Sequence, residues 1–176
     1  VYTTTGHVNE AITAYENAIR LNNRLPNPWI RLGNIFLNQK RIPDAIQALK
    51  KAIEIDERSF HAWSELGDIY LKAASFDEAI EAYSKAIDLA PNFGWPYRNL
   101  ASAYLSKGRF AEAVPLLLKS IELLHSNAEK AISFNKLGDA YRQLGDYQQA
   151  LEAYQRADVL SNGTPDPLSR MAETPA

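Results

Sequence analysis

Between Phe60 and Phe93 the chain reads F-H-A-W-S-E-L-G-D-I-Y-L-K-A-A-S-F-D-E-A-I-E-A-Y-S-K-A-I-D-L-A-P-N-F. Large apolar or small residues stand at Trp63, Leu66, Gly67 and Tyr70, then at Ala79, Tyr83 and Ala86. Steps of three and four place each set on one face of a helix, with the polar residues on the other. The pattern predicts a helix over Ala62–Ala73, a short turn, and a second helix over Asp77–Leu89.

The same pattern recurs along the chain. Trp29, Trp63 and Tyr97 are 34 residues apart, and Phe134 follows Tyr97 after 37, an insertion of three. The small position runs Gly33, Gly67, Ala101 and Gly138, and the next aromatic runs Phe36, Tyr70, Tyr104 and Tyr141. In the second helices, Ala11, Ala45, Ala79, Ala113 and Ala150 hold one small position, and Tyr15, Leu49, Tyr83, Leu117 and Tyr154 a bulky one. Small residues fit where two helices of a hairpin approach closely, since a larger group would force the axes apart at about 1–3 kcal/mol per site.

This register divides residues 1–164 into a partial repeat, 1–25, and four full ones, 26–59, 60–93, 94–130 and 131–164. Residues 165–176 read as a linker or disordered tail, entered through Thr164-Pro165-Asp166-Pro167. In the partial repeat, Tyr2 falls on a first helix whose start is missing, and residues 9–22 form the second helix. Leu168 and Met171 folding back as a partial cap is the alternative for the tail. Ser75 with Glu78, and Asp146 with Gln149, have capping-box spacing. Pro43 suits a first helical turn. Gly6, Gly108 and Gly145 stand where a left-handed residue ends a first helix. The third repeat departs most: Ala101 replaces glycine, Ser120 replaces alanine, and Pro115 removes a backbone bond inside its second helix and bends it. The insertion near Ser126-Asn127-Ala128 lengthens a helix or a loop and changes the local twist. Asp158 stands where Ile19, Ile53, Ile87 and Ile121 stood earlier, the polar outer face of a terminal repeat.

Composition narrows the chemistry. The net charge is −2, which argues against nucleic acid or an anionic membrane as a general partner. No apolar run is long enough to span a membrane. The N-terminus lacks the features of a signal peptide, and a cytoplasmic location is the expectation that follows. There is no cysteine, hence no thiolate chemistry or Cys-type zinc site. His7, His61 and His125 have no second ligand at metal spacing, and no glycine-rich phosphate loop follows a strand. No catalytic set, metal site or cofactor is expected.

The Trp-x-x-Leu-Gly-x-x-Tyr run at Trp63, Leu66, Gly67 and Tyr70, nearly repeated at Trp29, Leu32, Gly33 and Phe36, resembles the tetratricopeptide repeat, a helix–turn–helix unit of 34 residues. The resemblance covers about residues 1–164. It implies an all-α solenoid of stacked antiparallel hairpins forming a right-handed superhelix, with first helices lining a concave groove. The groove positions are then Asn27, Arg31, Asn34 and Asn38; His61, Glu65, Asp68 and Lys72; Trp95, Arg98, Asn99 and Ser102; and Asn135, Lys136, Asp139 and Gln143. They are polar and of mixed sign. Asn offers both donor and acceptor to a peptide backbone. Arg98 and Lys136 can hold a carboxylate, and Glu65, Asp68 and Asp139 a basic side chain. Any of these can equally be a solvated surface residue. Trp95 is either an exposed anchor at the groove rim or a packing residue beside Phe93.

One branch of that family grips acidic C-terminal tails of chaperones with a set of lysine, asparagine and arginine. Aligned on either of two starting repeats, this chain offers Asn34 or Asn99 but not the cations, so that reading is rejected. The expected function is a non-catalytic protein-interaction scaffold that binds an extended peptide or helix of a partner. The alternatives are a regulatory or substrate-docking segment of a larger enzyme, and a self-association element. The last would form a homodimer through the N-terminal helix, where Ile12, Tyr15 and Ile19 lack a partner.

Overall fold

The computed structural model describes residues 7–162, and every described element is a helix. The helices are α1 (Val8–Leu21), α2 (Pro26–Asn38), α3 (Ile42–Ile55), α4 (Phe60–Lys72), α5 (Phe76–Leu89), α6 (Gly94–Ser106), α7 (Phe110–Leu123), α8 (Asn127–Leu144) and α9 (Tyr147–Asn162). The expected helices are met within about two residues at their ends. The hairpins are α2/α3, α4/α5, α6/α7 and α8/α9, each packing along its length, with α1 the lone second helix before them. The expectations placed on Tyr2, Gly6, Leu168, Met171 and residues 165–176 lie outside the described residues.

The chain divides into two compact halves that meet at Ala90 and Pro91. In the N-terminal half the core is built on Ala45, Leu49, Ala52, Ala62 and Ile69, with Trp29, Phe36, Trp63 and Tyr70 closing over it. In the C-terminal half the core is built on Ala101, Ala113, Leu117, Ala131 and Leu137, with Tyr104 and Tyr141 against them; Ala113 and Leu117 hold the repeat places of Ala45 and Leu49. The alanines of the repeat are buried almost without exception, as close helix approach requires. Two aromatic tips are spent on the loops between hairpins: the Trp63 indole donates to the Glu57 carbonyl at 3.0 Å, and the Tyr97 hydroxyl to the Pro91 carbonyl at 3.1 Å. Both reach back six residues, so one position of the repeat ties down the preceding loop.

All four intra-hairpin turns close the same way. The N–H of Arg41, Ser75, Arg109 and Asp146 donates to the carbonyl of Phe36, Tyr70, Tyr104 and Tyr141, at 2.8, 2.9, 2.9 and 2.9 Å. This bond wants a left-handed residue just before its donor. Gly108 and Gly145 supply it at φ 71° and 85°, as expected, but the first two turns place Lys40 and Ala74 there, at φ 60° and 57°. The capping expectation for Ser75 is corrected: its side chain makes no cap hydrogen bond, and it is Ser59 that accepts from the Ala62 N–H, at 3.4 Å. In the first and third repeats a cation closes the turn instead. Arg41 lies over Phe36 and pairs with Asp44, and Arg109 lies over Tyr104 and pairs with Glu112.

Pro43 sits in the first turn of α3. Pro115 lies within α7, which runs unbroken through it. Its ring and Ala111, whose carbonyl it deprives of a donor, are both exposed, so solvent satisfies the group. The insertion lengthens a helix: α8 has 18 residues where α2, α4 and α6 have 13. Ser120, the departure in α7, is fully buried and its hydroxyl meets that of Ser133 in α8 at 3.2 Å. Two buried hydroxyls thus satisfy each other.

Ile12, Tyr15 and Ile19 are half-buried, and the open side of α1 carries Asn9, Glu10, Thr13, Ala14 and Asn17. On α9, Asp158 is exposed as expected, but so are Tyr147 and Leu151, whose counterparts Phe76 and Ile80 are half-buried.

Candidate peptide-binding faces

Every groove position read from the sequence lies on a first helix, α2, α4, α6 or α8, and none is buried. The two halves present two such faces.

In the N-terminal half, α2 and α4 bring Arg31, Asn34, His61, Glu65 and Asp68 into one cluster. Asn34 donates to the Glu65 carboxylate across the helix pair. The Glu65 pKa is raised above its ordinary value chiefly by burial. The Asn34 bond opposes this, Asp68 adds to it, and Arg31 and His61 oppose it more weakly. Asp68 also accepts from the Tyr83 hydroxyl at 2.5 Å. Tyr83 is wholly buried, and burial first, then Asp68, pushes its pKa far up. Beside this cluster a cleft of about 580 Å³ is lined by Val8 and Tyr15 of α1 and by Arg31, Asn34, Asn38 and Gln39. Asn27 and Lys72 stand exposed near the opposite ends of the face.

In the C-terminal half, α6 and α8 carry the second face. Arg98 and Lys136 are neighbours and both half-buried. Burial, and then Arg98, hold the Lys136 ammonium below its ordinary pKa, while Asp139 pulls it back up. Nη1 of Arg98 is buried and has no hydrogen-bond partner among the described residues. Asp139 accepts from the Tyr154 hydroxyl at 2.8 Å and lies 3.8 Å from Arg142. The Ser102 hydroxyl turns to its own helix and donates to the Arg98 carbonyl at 3.0 Å. Asn99 is half-buried; Asn135 and Gln143 are exposed.

Trp95 is 48% exposed, so it is not a core residue, and its indole N–H donates to Glu129 at 2.7 Å. Glu129 belongs to the extra first turn of α8, so the insertion supplies the support for this ring. Ile132, also 48% exposed, was missed by the reading of the sequence. It holds the same repeat position as Asn27, His61 and Trp95, so the register alone identifies it. The tyrosine partners of Asp68 and Asp139 were missed as well, although the signal was present: aspartate follows the packing glycine in the two repeats whose bulky residue is Tyr83 or Tyr154. Where that residue is Leu49 or Leu117, the position holds Asn34 or Ser102.

Among the described residues no group of His, Asp and Glu is arranged to hold a metal ion, and no helix is long and apolar enough to cross a membrane.

Comparison with known proteins bears on the fold. No curated protein matches the chain. Among solved structures, a crystal structure of MamA is similar at TM-score 0.81 and 24% identity, covering 91% of this chain and 92% of that one. MamA 41-end from Desulfovibrio magneticus RS-1 is similar at 0.80 and 19%, covering 92% and 89%. A chain of the APC/C hetero-tetramer Cut9–Hcn1 is similar at 0.75 and 22%, covering 96% of this chain and 32% of that one. Family models match residues 1–40 (TPR repeat), 30–92 and 92–157 (both Tetratricopeptide repeat). Together these run from the first residue to residue 157, and the chain belongs to the tetratricopeptide repeat family.

Proposed function

We propose that this chain is a non-catalytic protein-interaction module whose first helices bind an extended peptide or a helix of a partner. The observation that carries the reading is the placement of Arg31, Asn34, Glu65, Arg98 and Lys136. All are accessible, all lie on first helices, and none fills the core. Polar groups held half-buried on rigid helices are costly unless something pairs with them, and they are preorganised to do so. One of the structures similar in fold belongs to a hetero-tetramer, Cut9–Hcn1, in keeping with a scaffold role. Service as a docking arm within a larger enzyme is the same surface in another setting. Self-association through α1 has less support, since its open side is largely polar.

The test is site-specific photo-crosslinking in a lysate of the source cells. A crosslinking residue at Asn38 or Asn135 is expected to capture a partner, and one at Glu81 or Gln155, on second helices, is not. Capture from the second helices alone would overturn the reading. Light scattering of the purified chain tests for self-association.

A further inference from the structure

The C-terminal face carries four side chains whose chemistry belongs together. Trp95 and Arg98 are three residues apart on α6, and Ile132 and Lys136 are four apart on α8. Residues at these spacings lie on one side of a helix. The Trp95 bond to Glu129, one turn before Ile132, brings the apolar ends of the two pairs together, and the charge interaction of Arg98 with Lys136 does the same for the cationic ends. The result is an apolar rim, half-exposed at both residues, beside a pair of half-buried cations.

Two cations held together repel, and a buried guanidinium N–H with no acceptor costs more than a neutral donor would. Within the chain Asp139 offsets part of this at Lys136, but it is also bonded to Tyr154 and lies near Arg142. A carboxylate from outside, placed between the half-buried Arg98 and Lys136 side chains, would pair with both and offset their repulsion.

Spacing favours a helical ligand. Three to four helical residues rise about 4.5–6 Å. In an extended peptide, side chains on one face are about 6.6–6.8 Å apart, beyond that range. In a helix, residues three or four apart reproduce it. We propose that the face of α6 and α8 binds an amphipathic partner helix. Its aspartate or glutamate enters between Arg98 and Lys136, and a large apolar side chain three or four residues away lies on Trp95 and Ile132. The inference rests on the proposed interaction function and names the chemistry of the partner for one face.

The test is a display library of helical peptides, randomised on the outer face and blocked at the C-terminus as the amide, selected on the full chain. The expected product is at least a tenfold enrichment of Asp or Glu three or four residues from Leu, Ile, Phe or Met. Selection on Arg98→Gln/Lys136→Gln, checked by circular dichroism for unchanged helicity, should lose the acidic enrichment and keep the apolar one. On the unmodified chain, a selected peptide should shift the Trp95 indole N–H and Arg98 Nε–H resonances, and its Glu→Gln form should bind at least tenfold more weakly. Enrichment without an acidic residue overturns the inference, as does equal binding by the Gln form. Retention of a free-acid library but not the amide would assign the site to a peptide C-terminus and likewise overturn it. Peptides that shift only Asn34 and Asn38 would overturn it too, while leaving the interaction function standing.

Discussion

Gly67 and Gly138 occupy the same place in their hairpins but not the same surroundings. A Cβ at Gly67 would lie 2.7 Å from the Tyr83 ring, and one at Gly138 2.6 Å from the Tyr154 ring. Tyr83 is wholly buried and tied to Asp68, so it has nowhere to go. Tyr154 is likewise bonded to Asp139, but it is only half-buried and can swing outward at the cost of that one exposed bond. Gly67→Ala is therefore expected to cost about 1–3 kcal/mol by urea denaturation, and Gly138→Ala clearly less; equal costs would show that ring mobility is not what decides. Glu65 makes a second prediction. Its folded pKa lies above the usual 4.5, mainly through burial. The folded state then binds this proton more tightly than the unfolded chain, so the group's contribution to stability rises as pH falls through the raised value toward 4.5. Glu65→Gln should remove that dependence. Thermal melts between pH 7 and 4 should show the wild type gaining on the variant as pH falls, and parallel curves would refute it.

At the scale of the helix and its turn, one hydrogen-bond pattern is closed by two different chemistries. The first and third turns use an arginine over an aromatic ring and paired with an acid; the second and fourth do without it. Conformational cost falls unevenly on them. Ala74 is left-handed at φ 57° and has no side-chain bond to offset this, whereas Gly108 and Gly145 adopt the conformation freely. Ala74→Gly is expected to stabilise by about 0.5–1 kcal/mol, read from the denaturation midpoint at unchanged slope. A loss of stability would mean the turn gains from the methyl group. Helices and turns were legible because apolar spacing and small residues report close packing directly. The left-handed Lys40 and Ala74 were not, because the backbone bond that imposes their conformation involves no side chain.

For the molecule as a whole, the repeat was legible in the spacing of Trp29, Trp63 and Tyr97, since 34 residues is the length at which one hairpin repeats its core. The first-helix positions were legible for the same reason. What they bond to was not. Asp68 and Asp139 reach tyrosines fifteen residues away, and Trp95 reaches a turn that exists only because of the insertion. Such pairings depend on where neighbouring helices lie, which single positions do not encode. The setting of Trp95 has a practical side. Trp29 and Trp63 are half-buried against the core, and only Trp95 combines exposure with a fixed polar neighbour. With Trp29 and Trp63 replaced by phenylalanine, the chain would carry a single tryptophan at the edge of its second face, excited selectively at wavelengths where its tyrosines do not absorb. Its emission maximum and quenching by iodide would then report occupancy there without any attached dye.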